Sequence, residues 1–146
     1  MNYVLDTCAV SELRVPARAN AGLVKWAEKT PGDIYIAAIT LVELEIGVMR
    51  IERRDARQGE ILRRWLDDEI AVAFRGRILP FDEDAARLCA RLHVPDPRPE
   101  RDAMIAATAI GHRHALVTRN VKDFRGMKGL TLINPWTASS KRTSDR

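Results

Sequence analysis

Four acidic residues carry the chemistry open to this sequence: Asp6, Glu43, Asp102 and Asp123. Each stands at the border between an apolar run and a helix-patterned stretch. Asp6 closes the run 2–5, and Asp123 comes shortly after the run 115–118. Glu43 falls early in the stretch 40–53, and Asp102 opens an alanine-rich segment. A lone Asp at such a border is usually a helix cap or a partner for the helix dipole. Four acids brought together repel one another unless a cation neutralises them or a pKa rises. Hard carboxylate oxygens then select magnesium or manganese over zinc.

The elements that must position these residues follow from hydrophobic periodicity. Short apolar runs at 2–5, 34–37, 77–81, 115–118 and 130–133 predict strands. Between them, apolar residues recur at three- and four-residue steps: Leu41, Leu44, Val48 and Ile51, then Ile61, Leu62, Trp65, Leu66 and Ile70, then Ala85, Leu88, Cys89 and Leu92. Helices are also predicted over 7–13, ended by Pro16, over 20–29, closed by turn chemistry at Pro31-Gly32, and over 101–112. Thr40, three residues before Glu43, has the spacing of a capping box. Strands alternating with helices predict an α/β fold, a three-layer α/β/α arrangement around a mainly parallel sheet of four to five strands. Ligands of such sheets bind beyond the carboxyl ends of the strands, where the acids fall. Gly47, one turn after Glu43, is expected to admit a close backbone neighbour, and the alanines after Asp102 to seat their helix tightly.

At 146 residues, 46% hydrophobic and 30% charged, the chain has the makeup of one soluble domain. It is expected to span 1–136, with 137–146 as a flexible polar tail. The excess of 24 Lys plus Arg over 20 Asp plus Glu favours polyanionic partners. Two distant cysteines, Cys8 and Cys89, exclude a disulfide framework or a thiolate zinc site. With no long apolar run and no leader pattern, the expectation is a cytoplasmic protein without a membrane span.

The segments VLDT at 4–7, AITLVELEIG at 38–47, DAMIAATA at 102–109 and TRNVKDF at 118–124 resemble, in order and spacing, the four signature segments of PIN domains. Within that family they are most similar to VapC-type toxins of bacterial toxin–antitoxin pairs. The resemblance implies an endoribonuclease dependent on Mg2+ or Mn2+, a homodimer, RNA as substrate and a VapB-type antitoxin as partner. It assigns Asp6, Glu43, Asp102 and Asp123 as catalytic, with Asp6, Asp102 and Glu43 as metal ligands. Thr7, Thr118 and Asn120 support them, and in some relatives the fourth acid falls where Asn120 stands here. Cys8 occupies a place where many relatives carry Asn, which alters the support of Asp6, and Arg101 is expected to perturb Asp102.

Other features have blander readings. His93, His112 and His114 lie near helix ends, where an imidazole complements the dipole. Trp26, Trp65 and Trp136 read as core or interface anchors. Arg50, Arg53, Arg54 and Arg57 recur at helical spacing and are candidate RNA phosphate contacts, or a solvated face. A non-catalytic nucleic-acid-binding module is the alternative function. An aspartyl-nucleophile phosphotransferase is weaker, because Cys8 stands where it would need a second acid.

Overall fold

The five apolar runs form β1 (Tyr3–Leu5), β2 (Ile34–Ala37), β3 (Ile78–Leu79), β4 (Ala115–Val117) and β5 (Thr131–Ile133). They do so in a computed structural model that describes residues 1–30, 33–137 and 142–144. These strands pair in parallel in the order β3-β2-β1-β4-β5, and β6 (Arg142–Ser144) adds an antiparallel edge to β5. The turn expected at Pro31-Gly32, and residues 138–141 and 145–146 of the tail, lie outside the described residues. No helix among the described residues is long and apolar enough to cross a membrane.

Successive residues of each strand face opposite layers. Leu5, Ile36, Val117 and Ile133 face one core, packed against α1 (Thr7–Glu12), α2 (Ala21–Lys29) and α3 (Ala38–Arg54). Val4, Ala37, Leu116 and Leu132 face the other, against α7 (Glu100–Gly111) and α8 (Val121–Phe124). A third cluster, Cys89 with Ala103 and Ala107, joins α7 to α6 (Glu83–Leu92). The three-layer expectation therefore holds. The strand order reverses at β1, which has β2 on one side and β4 on the other. Its carboxyl end consequently opens on the crevice where such sheets bind ligands.

Local departures from the sequence reading have physical causes. Strand β2 runs straight into α3 with Ala37 at the N-cap and no side-chain cap. Thr40 is thus inside the helix and fully buried, not a capping residue. The stripe beginning at Ile61 starts earlier, in α4 (Ala56–Arg64), where Asp55 accepts from the Gln58 N–H. It then widens into a π-helical stretch, Trp65–Ile70, in which consecutive Trp65 and Leu66 both turn inward, before one last turn, α5 (Ala71–Ala73). Ile61 itself is 49% exposed. The helical hairpin α3–α4 closes over Gly59, where a Cβ would lie 2.5 Å from the Glu52 Cα. Arg63 braces it with bonds to Glu45 (2.8 Å) and Glu52 (3.1 Å).

Candidate active site

Asp6 is the hub. Its N–H donates to the Val117 carbonyl (2.9 Å), which ties it to the end of β4. Its Oδ1 caps α1 by accepting from the Thr7 N–H (2.8 Å). Its Oδ2 accepts from Thr118 Oγ1 (2.8 Å) and from the Cys8 thiol (3.6 Å). The Asp6 carboxyl is thus held from three sides while 4% exposed. Burial pushes its pKa above the ordinary carboxylate value, and the three bonds oppose that rise. Burial and the Asp6 charge in turn raise the Cys8 thiol, keeping it a protonated donor. Cys8 therefore supports Asp6 with one weak bond.

The neighbouring acids are held less tightly. Thr7 Oγ1 donates to Glu43 Oε1 (2.6 Å) and lies 3.3 Å from the buried Thr40 hydroxyl, so the first turns of α1 and α3 are joined at the rim. The role of Thr40 was not legible locally, because its spacing mimics a cap. Gly47 does not serve a close approach: a Cβ there would meet nothing within 4 Å. It lines an open groove beside Thr7 and Glu43. The alanines behind Asp102 do seat α7 tightly, with Ala103, Ala106, Ala107 and Ala109 all fully buried.

Asp102, in the first turn of α7, has its pKa pushed up to about 6, first by burial and then by the charges of Asp6, Asp123 and Glu43. The four acids therefore share one electrostatic field. Arg101 beside it faces solvent and is not among the groups acting on it. Asp123, exposed on α8, couples to Asp102. Asn120 contributes its main-chain N–H to Thr118 Oγ1 (3.0 Å) and caps nothing with its side chain. Among the described residues, no three carboxylate, thiol or imidazole side chains close tightly enough to grip one ion. The donor set nevertheless fits a hard divalent cation: it is all carboxylate and hydroxyl oxygen, and burial with mutual repulsion disfavours the charged forms of Asp6 and Asp102, a cost that a cation would relieve.

A stability consequence follows. The folded Asp102 carboxyl holds its proton up to about pH 6, whereas the unfolded one releases it near 3.8. The folded state therefore binds the extra proton in that window, and stability falls as pH rises through it. Asp102→Asn removes the fall. In chelator, the variant is expected to match the parent near pH 4 and to melt higher at pH 7.5. The difference corresponds to about 1 kcal/mol after solvent screening of this half-exposed group, or roughly 2–4 °C. Equal melting temperatures at pH 7.5 would contradict the coupling.

The remaining residues fall outside the cluster. Arg50, Arg53, Arg54 and Arg57 are exposed at the far end of α3 and the start of α4. At 1.5 Å per residue, Arg53 is roughly 15 Å along the axis from Glu43. His93 and His112 occupy C-cap positions of α6 and α7, as expected. Trp65 is core, Trp26 stacks edge-on to Tyr3 (5.2 Å), and Trp136 donates through Nε1 to Glu12 (3.1 Å). Arg98, which sequence reasoning missed, donates through Nη2 to the carbonyls of Asp123 (3.2 Å) and Arg125 (2.7 Å). Only the proline-rich loop that carries it was visible.

Comparison with known proteins matches this geometry. Residues 3–130 match the family described as PIN domain. The VapC ribonuclease Y4jK of Sinorhizobium fredii is 34% identical over 139 residues, which cover 91% of this chain and 96% of that protein. The crystal structure of FitAcB from Neisseria gonorrhoeae aligns with a TM-score of 0.81 at 32% identity, covering 92% of this chain and 98% of that one. FitAB bound to an IR36 DNA fragment aligns equally well, at 0.81 and 30%, covering 92% and 96%. The reversal of strand order at β1, the buried Asp6 at its end and the alignment over nine-tenths of both chains have one common explanation, which is that this chain belongs to the PIN-domain family, on the branch of the VapC relatives.

Proposed function

We propose that the protein is a divalent-metal-dependent endoribonuclease, the toxin of a VapBC-type pair, restrained by a VapB-type antitoxin and acting as a homodimer. The observation that carries this reading is the shared field of four acids at the carboxyl rim of the sheet, with Asp102 raised to about 6 first by burial and then by the charges of the other three. The names of the relatives, a VapC ribonuclease and the FitAB complex, support RNA as substrate and a small partner protein.

Asp6, Asp102 and Glu43 are the residues that would hold Mg2+ or Mn2+. The chemistry such an ion would supply there is Lewis acidity toward a phosphodiester oxygen and a lowered pKa for a bound water. Asp6, locked by Thr118, Thr7 and Cys8, keeps its oxygens fixed through the reaction. Glu43, held by Thr7, and the exposed Asp123 are placed to orient the water and take its proton. Thr118 and Asn120 act through Asp6, by way of the Asn120 N–H on the threonine hydroxyl. Arg50, Arg53, Arg54 and Arg57 are too far along the helices to reach the scissile phosphate and serve as outlying contacts to the RNA backbone.

The test is incubation of the purified protein with transfer RNA and messenger RNA, with manganese or with excess chelator. Cleavage confined to the manganese arm is expected, as is a rise in melting temperature with manganese that Asp102→Asn lacks. Cleavage of equal rate in chelator would overturn the metal-dependent reading.

A further inference from the structure

A cavity of about 500 Å³ opens between α6, the loop 93–99, the end of α7 and the turn after α8, and it meets the acidic rim at Arg98, which bonds the Asp123 carbonyl. Its volume falls in the range of small-ligand sites, large enough for one nucleotide. The floor is apolar: Leu88, Leu92, Ile110 and the fully buried Met127. Three cations, Arg91, Arg98 and Lys128, stand against one acid, Asp96. Among the described residues Arg91 and Lys128 make no ion pair, and both are exposed, so their charge is unspent. Arg98 uses Nη2 on the carbonyls of Asp123 and Arg125, and its main-chain N–H donates to His93 Nδ1 (3.1 Å). Its guanidinium is therefore a fixed wall shared by the cavity and the backbone of Asp123. Four residues on, the same loop delivers Asp102.

A polynucleotide whose phosphate lies at the acids must continue on both sides of the bond that is cut. On this side it meets an apolar floor for a base face and positive charge for a phosphate, the pairing that single strands require. We propose that this cavity is a nucleotide subsite, seating one unit of the RNA strand beside the scissile bond. The base lies on the apolar floor against the Arg98 guanidinium, and the flanking phosphate on Arg91 and Lys128. The proposal rests on the ribonuclease reading above and adds where the strand runs.

The test uses Arg91→Ala/Lys128→Ala, two exposed changes that leave the fold alone, and Lys25→Ala/Lys29→Ala, which removes the same charge from α2. A fluorescein-labelled single-stranded RNA is the probe, with its affinity read in the Asp102→Asn background and its cleavage in the active protein. The cavity variant is expected to raise KM about tenfold with kcat within twofold, and to flatten the slope of log Kd against log salt by about 1.4. The α2 variant should leave KM within twofold, and Arg91→Lys/Lys128→Arg should restore binding. An unchanged KM and salt slope, or an equal loss in the α2 variant, would overturn the subsite while the parent's cleavage left the ribonuclease reading standing. Absence of cleavage by the parent defeats that reading alone, because the salt slope still decides the cavity.

Discussion

Asp6→Asn is expected to lower RNA hydrolysis in manganese by roughly 10²–10⁴-fold while the protein remains folded. The substitution keeps the shape of the side chain and its Oδ1, so the cap of α1 on the Thr7 N–H survives. What it removes is the negative charge, and it places an amide where Thr118 and Cys8 now donate. Because Asp6 is buried and its charge is held at an energetic cost, the neutral variant should melt no lower than the parent in chelator. A variant that is folded by circular dichroism and cleaves within threefold of the parent would remove Asp6 from the catalytic role given to it.

Phe124→Ala should bring the largest loss of stability of any single truncation near the site, roughly 3–5 kcal/mol. Phe124 is fully buried at the end of α8, in the cluster that includes Ile105, Leu116, Leu130 and Leu132. It is also the anchor by which a helix of four residues holds Asp123 over the sheet. Urea unfolding would show the loss as a lower midpoint at unchanged slope. At a urea-free temperature where the variant is still folded, kcat should also fall, because Asp123 loses its footing. A loss below about 1 kcal/mol would mean that the surrounding core collapses into the space, and that α8 is held by Arg98 instead.

Much of this centre was legible because its acids stand at element borders. Asp6 follows a strand, Asp102 opens a helix, and a parallel α/β sheet has few places to put such residues other than its carboxyl rim. Three things had no local signal. Thr40 looked like a cap because β2 passes into α3 without a loop, so the usual capping position falls on Ala37. The strand expected over 77–81 is only Ile78–Leu79, since Pro80 has no N–H to continue the ladder, although Arg77 still accepts from the Ile36 N–H. The Arg98 clamp joins positions 25 and 27 residues apart, and neither its donor nor its acceptors betray the contact through composition or periodicity.

The hydrogen bond between Thr118 and Asp6 spans 112 residues. The first strand thus becomes the middle of the sheet, and its aspartate has only the local bonds from Thr7 and Cys8 until Thr118 has been synthesised. A growing polypeptide shorter than 100 residues has the first acid but neither the hydroxyl that joins it to β4 nor the helices bearing Asp102 and Asp123. A fragment that stops short of Thr118 is accordingly expected to cut no RNA, however well its first strand forms.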